Sequence, residues 1–237
     1  MKRNKVRGET LSCSGEALKN LIRNYGKTYA EELGINLKAA EESEVFKWFL
    51  ASVLFGAPIA ETSAKKTFRQ FERSHLTAPE KILKAGWNRL VALLDEGGYT
   101  RYDFKTATKL LEAAENLKKN YGGSLNRLHD KAADSRDLAV KLQGLAKGIG
   151  PTTVNIFLRE MMSLWKKAYA PLQPAEIAAA QALGLTRLEG KGEEEKRAIL
   201  EDLVKAWRQL GGKMEDIPSL RAALFRFGKA VLKGKGK

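Results

Sequence analysis

Apolar residues recur at intervals of three and four along most of this chain, the spacing that gathers side chains on one face of an α-helix. Val45 to Phe55 (VFKWFLASVLF) is instead apolar almost all round, which predicts a helix buried in the middle of a helical domain. Gly56-Ala57-Pro58 ends it. Ala64, Phe68 and Phe71 then resume the helical spacing, with Lys65, Lys66 and Arg69 on the other side. Within 105–119, Ala107, Leu110, Leu111, Ala114 and Leu117 share a face, and Tyr121-Gly122-Gly123 supplies the stop. Glycine is the usual residue just past a helix C-terminus. The segments 136–145, 151–166, 174–183, 194–210 and 217–232 continue in the same way, and none alternates with period two. The expected fold class is all-α.

Breakers at Gly97-Gly98, Gly122-Gly123, Gly148-Ile149-Gly150, Pro171 to Pro174 and Gly211-Gly212 are too short to be free linkers. Closely packed lobes are therefore expected. The terminal Leu232-Lys233-Gly234-Lys235-Gly236-Lys237 reads as a frayed basic tail. An apolar content of 43% beside 30% charged residues is the balance of a folded globular chain. No apolar run nears the ~20 residues of a spanning helix, and no apolar signal core follows the basic start Met1-Lys2-Arg3. A cytoplasmic protein is expected. Cys13, the single cysteine, can neither close an intramolecular disulfide nor hold an iron–sulfur cluster. His75 and His129 stand far apart with no carboxylate at zinc-motif spacing. Each reads as a surface or structural residue, and no metal or other cofactor is expected.

Charge narrows the choice of partner. The chain carries 42 Lys+Arg against 28 Asp+Glu, a formal net charge of +14, and such a surface recruits polyanions through counterion release. Anionic membrane is the rival partner, but no amphipathic helix sets a strongly hydrophobic face beside a polybasic one.

Residues 136–166 (RDLAVKLQGLAKGIGPTTVNIFLREMMSLWK) turn the charge into a specific expectation. Leu138, Leu142 and Leu145 line one helix face, and Val154, Phe157, Leu158, Met161 and Trp165 line the next. The connection from Ala146 to Gly150 holds two glycines, which permit a tight turn and let a phosphate approach without meeting a Cβ. Pro151 suits the first helical turn, where its missing N–H costs nothing. The free amides behind it, with the helix dipole, favour an anion, and Lys147 adds a charge. An ordinary αα turn with a glycine cap is the plainer alternative. The full pattern of apolar helix, Gly-Ile-Gly, Pro, Thr-Thr and apolar helix favours a helix-hairpin-helix. Lys147, Gly148, Ile149, Gly150, Thr152 and Thr153 would then contact the DNA backbone, irrespective of base sequence.

Here the chain resembles the endonuclease III superfamily of helix-hairpin-helix base-excision DNA glycosylases. The similarity runs over roughly residues 45–230. It includes VFKWFLASVLFGAPIAETSAKKTFRQF, Gly98-Tyr99 followed by FKTATKLLEAAENLKKNYGGSL, the hairpin itself, and AQALGL at 180–185. The resemblance implies a two-lobed helical, DNA glycosylase-like fold with a cleft between the lobes, in which DNA is bent and one nucleotide flipped out. The expected division is an N-terminal segment 1–43 packing with the C-terminal lobe, a central lobe 44–150 ending in the hairpin, and a second lobe 151–237 with a basic tail. These would form a single compact unit.

The positions that carry the family's chemistry differ. Bifunctional members have a lysine nucleophile two residues beyond the second hairpin glycine, where this chain has Thr152, so a lyase step through that position is ruled out. The aspartate that stabilises the developing sugar cation falls, by resemblance, at Gln173, and no Asp lies anywhere from 138 to 201. The position of the residue that family members insert into the DNA stack is Ala57, and the four-cysteine cluster is absent. Glu176 is the first candidate for a displaced catalytic acid, although Pro174 before it favours a capping role in the first helical turn. Glu160 reads as a surface partner of Lys166 or Lys167, and Asp134 and Asp137 as caps. Among the aromatics Trp48, Phe49, Tyr99, Tyr102, Trp165 and Tyr169, the pair Trp165 and Tyr169 is the first candidate for a flipped-base pocket. The expected function is a monomeric, nucleoid-associated, monofunctional glycosylase acting on lesion-bearing double-stranded DNA, such as an alkylated base. The alternative is a non-catalytic lesion- or structure-sensing protein on the same scaffold.

Overall fold

A computed structural model describes residues 15–235, and among them every regular element is helical. Cys13, the basic start and the last two residues lie outside the described residues. The elements in order are α1 (15–25), α2 (Tyr29–Leu33), α3 (Glu42–Phe55), α4 (Glu61–Arg73), α5 (Pro79–Gly97) and α6 (Asp103–Tyr121). They continue with α7 (Leu125–Lys131), α8 (Ser135–Gln143), α9 (Pro151–Met161), α10 (Pro174–Ala182), α11 (Gly192–Gln209), a 3₁₀ turn (Met214–Asp216) and α12 (Ile217–Lys235). The all-α expectation holds. Residues 232–235, expected to fray, instead finish α12. No described helix is long and apolar enough to cross a membrane.

The chain divides into two compact units. One comprises Ala30–Ala170 and is built around α3. That helix is buried from Val45 to Leu54 except at Lys47, as its all-round apolar pattern requires, and it packs against α4, α7 and α9. Trp48 is fully buried, with its indole N–H donating to the Phe157 carbonyl at 3.0 Å. Phe49 meets Phe157 edge-on at 5.7 Å, and Tyr99 donates its hydroxyl to the Leu54 carbonyl at 2.6 Å. These aromatics, considered above as pocket residues, are core.

The other unit joins the described residues up to Tyr29 with those from Pro171 onward. Its centre is the packing of α10 on α12, which is close enough that a Cβ at Gly228 would stand 1.7 Å from the Ala175 carbonyl oxygen. Arg226 ties α1 to α12 by donating to the carbonyls of Tyr25 and Lys27. The divisions fall at 29/30 and 170/171, so both hairpin helices lie within one unit, where the sequence pattern set a boundary between them.

Candidate nucleic-acid interface

The hairpin begins with a well-capped helix. Asp134 accepts the amides of Arg136 at 2.8 Å and Asp137 at 2.9 Å, satisfying donors that α8 leaves open. Asp137 accepts the Ala133 amide at 2.8 Å and the Lys141 ammonium at 3.0 Å. Those two partners hold its carboxyl below the ordinary carboxylate range. Both aspartates are caps, as the sequence suggested. After Gln143 the chain buries Leu145 and Ala146, turns through Gly148 at φ +90°, and enters α9 from an extended Gly150. The left-handed φ explains glycine at 148, because a Cβ there is strained. The first helical bond of α9 runs from the Val154 amide to the Gly150 carbonyl at 3.1 Å. Ahead of it, the amides of Gly150, Thr152 and Thr153 donate to no acceptor among the described residues. This is the set of donors that a helix N-terminus offers to an anion.

One face of α6 holds the turn. Asn116 donates its side-chain amide to the Leu145 carbonyl at 3.0 Å, and Glu112 accepts the Lys147 amide at 3.1 Å. A Cβ placed on Gly148 would stand 3.1 Å from Cε and 3.6 Å from Nζ of Lys109. Positions 109, 112 and 116 are separated by three and four residues and so share a face. Burial pushes the Lys109 ammonium below the ordinary lysine range. Lys147 and Lys109 therefore place two cations at one short turn.

The structure separates the proposed contact residues by what they can offer. Lys147, Gly148 and Thr152 are exposed, and Gly150 is half-buried. Ile149 is 3% exposed and donates its amide to Ala146 at 3.1 Å, so it anchors the turn and has no donor left for a phosphate. The side chain of Thr153 is also turned inward, against Gly56, where an added Cβ would stand 2.1 Å from its Oγ1. Only its backbone N–H faces the open end of the helix. The other candidates take structural places. The spacing predicts a helix to 166 with Trp165 and Tyr169 near its end, yet α9 ends at Met161 and both residues lie beyond it. Trp165 is 3% exposed, stacks on His129 at 4.8 Å and meets Phe157 edge-on at 5.4 Å. Its indole N–H donates to the Asn126 side chain at 2.9 Å, leaving no face for a base. Tyr169 is half-buried. Glu160 is buried and accepts the Ala30 amide at 3.0 Å, while Lys167 instead donates to the carbonyls of His129 and Asp130.

Gln173 and Glu176 lie in the other unit and also take structural roles. Gln173 caps α10, and its amide donates to Glu176 at 2.8 Å. Glu176 has no exposed surface and pairs with Arg221, equally buried, through contacts of 2.8 and 2.9 Å. A carboxylate sealed from solvent with both oxygens engaged reaches neither water nor a sugar, so the catalytic role expected of it is corrected to an anchoring one. Two features escaped the sequence pattern. One is Lys109, which meets the hairpin turn from α6. The other is the pair Trp87 and Phe104, 38% and 58% exposed with ring centroids 5.2 Å apart.

Comparison with known protein families, with curated proteins and with solved structures finds no match.

Proposed function

We propose that the protein binds the backbone of double-stranded DNA through the turn from Lys147 to Thr152. The observation that carries this reading is the group of unengaged amides at Gly150, Thr152 and Thr153, with the ammonium groups of Lys147 and Lys109 at the same turn. Backbone donors, a helix dipole and lysine charge together suit a phosphodiester. They position the protein and read no base. Lys147→Glu tests the proposal in fluorescence-anisotropy titrations of a labelled duplex at several salt concentrations. Weaker binding with a shallower salt slope is expected; unchanged affinity and slope would overturn it.

Base excision is the catalytic form of the same reading and draws on the resemblance to the endonuclease III superfamily. With Glu176 anchored in its own unit, excision would rest on extruding a base whose glycosidic bond is already weakened, as in an alkylated purine. Thr152 in the lysine position implies base release without strand cleavage. A panel of lesion-bearing duplexes, treated with heat or alkali to reveal abasic sites, separates a glycosylase from a non-catalytic sensor of lesions or DNA structure. Absence of release from every duplex, with binding intact, selects the sensor.

A further inference from the structure

Within the Ala30–Ala170 unit, the corner between α4 and α5 forms an open concavity of about 640 Å³ whose lining includes Arg73, His75, Lys81, Lys84 and Arg89 and no carboxylate. Two backbone features shape it. The C-terminus of α4 closes with the Leu76 amide donating to Phe71 at 2.9 Å and the His75 amide to Glu72 at 2.9 Å. His75, at φ +55°, takes the left-handed position of that motif, which glycine fills without steric cost. Further on, Gly86 at φ +71° and ψ 171° kinks α5 between Lys84 and Arg89. The charges are only lightly engaged. Arg73 donates to the Arg69 carbonyl at 3.3 Å, and Arg89 reaches Ser74 Oγ at 3.4 Å and Glu96 at 3.8 Å. Lys81 and Lys84 are exposed and make no ion pair among the described residues.

We propose that this cavity is a second anion site, independent of the hairpin, which takes two or more linked phosphate groups. Its volume lies in the range of small-ligand clefts, and its open side leaves room for a longer chain of phosphates. Of the four cations around this concavity only Arg89 meets a carboxylate among the described residues, so they repel one another, and a lone phosphate reaches fewer of them than a linked pair. The left-handed turn at His75 also sets an imidazole into the lining beside these cations, where it adds a further donor for a phosphate oxygen. The shared ligand chemistry is a run of phosphates, from a nucleoside triphosphate or from a nucleic-acid strand.

Isothermal titration of the full chain with inorganic tripolyphosphate tests this, followed by displacement with ATP and with a short oligothymidylate. Saturable binding is expected, weakened about tenfold or more in Lys84→Gln and in His75→Gly. Lys205→Gln, on α11, is expected to bind as the unaltered protein does. His75→Gly also removes the left-handed Cβ, so its melting temperature is expected to equal or exceed that of the unaltered chain. Lost binding in that variant therefore reports the imidazole and not unfolding. Displacement by ATP alone assigns the phosphates to a nucleotide, and displacement by the oligothymidylate assigns them to a strand. Absence of saturable tripolyphosphate binding, or binding unchanged in both His75→Gly and Lys84→Gln, would overturn the proposal.

Discussion

Glu176 and Arg221 stand 45 positions apart in the chain and meet in the interior with no exposed surface on either side chain. Removing one member of such a pair leaves the other charge buried and uncompensated, at a cost of about 3–5 kcal/mol. Glu176→Gln is therefore expected to lower the unfolding free energy from urea titration by an amount of that order, and the midpoint with it. An unchanged midpoint would return the residue to consideration as a functional acid. His129 makes a pH-dependent contribution. Burial against Trp165 pushes its pKa below the ordinary histidine value. The unfolded chain then binds the proton more tightly than the folded one, so this stability is fully present above about pH 6.5 and is lost as pH falls through the depressed folded value. Thermal melts between neutral and mildly acidic pH are expected to show that loss, and His129→Phe to flatten it. The caps Asp134 and Asp137 were legible in the sequence because their partners are their chain neighbours. The partner of Glu176 was not, because an ion pair across the interior leaves no periodic trace.

Spacing made α3, α4, α6 and α8 to α12 legible, while α1, α2, α5, α7 and several helix ends and bends were not. α9 stops at Met161 although apolar residues continue at helical spacing to Trp165. Trp165 is buried by packing on His129 and Asn126 of α7 and not by helix continuation. In α5 the kink sits at Gly86, a glycine inside an otherwise helical pattern. Nothing lies within 4 Å of a Cβ added there, so the cost of Gly86→Ala is conformational alone. That φ and ψ combination is essentially restricted to glycine, and forcing alanine into it is expected to cost about 1–3 kcal/mol. Chemical denaturation measures the loss, and a change smaller than a few tenths of a kcal/mol would mean that α5 straightens instead. α6 shows the opposite case. Its apolar face was visible as the core side, whereas the polar stripe at 109, 112 and 116 took on meaning only once the hairpin turn was seen against it.

For the whole molecule, a net charge of +14 attracts any polyanion, so the placement of charge is what separates a site from a background. Lys109→Gln with Lys147→Gln removes two cations at the hairpin turn, and the slope of log affinity against log salt is expected to fall by roughly 1.8. Lys205→Gln with Arg208→Gln removes the same charge from exposed positions on α11, in the other unit, and is expected to leave that slope unchanged. Equal effects from both pairs would mean that bulk charge, and not the hairpin, drives binding.

Spacing, breakers and composition alone determined the helical class, the deeply buried α3, the hairpin between two apolar helices and the basic character of the chain. These follow from neighbours within a turn or two, where backbone geometry dictates which side chains align. Tertiary structure decided which of the nominated residues remain available. It buried Ile149, the side chain of Thr153 and Trp165 with its His129 and Phe157 contacts, and sealed Glu176 against Arg221. It also brought Lys109 to Gly148 and gathered Arg73, His75, Lys81, Lys84 and Arg89 around one cavity. Exposure and long-range partnership depend on how helices pack, and a one-dimensional pattern of polar and apolar positions does not encode which polar residues meet.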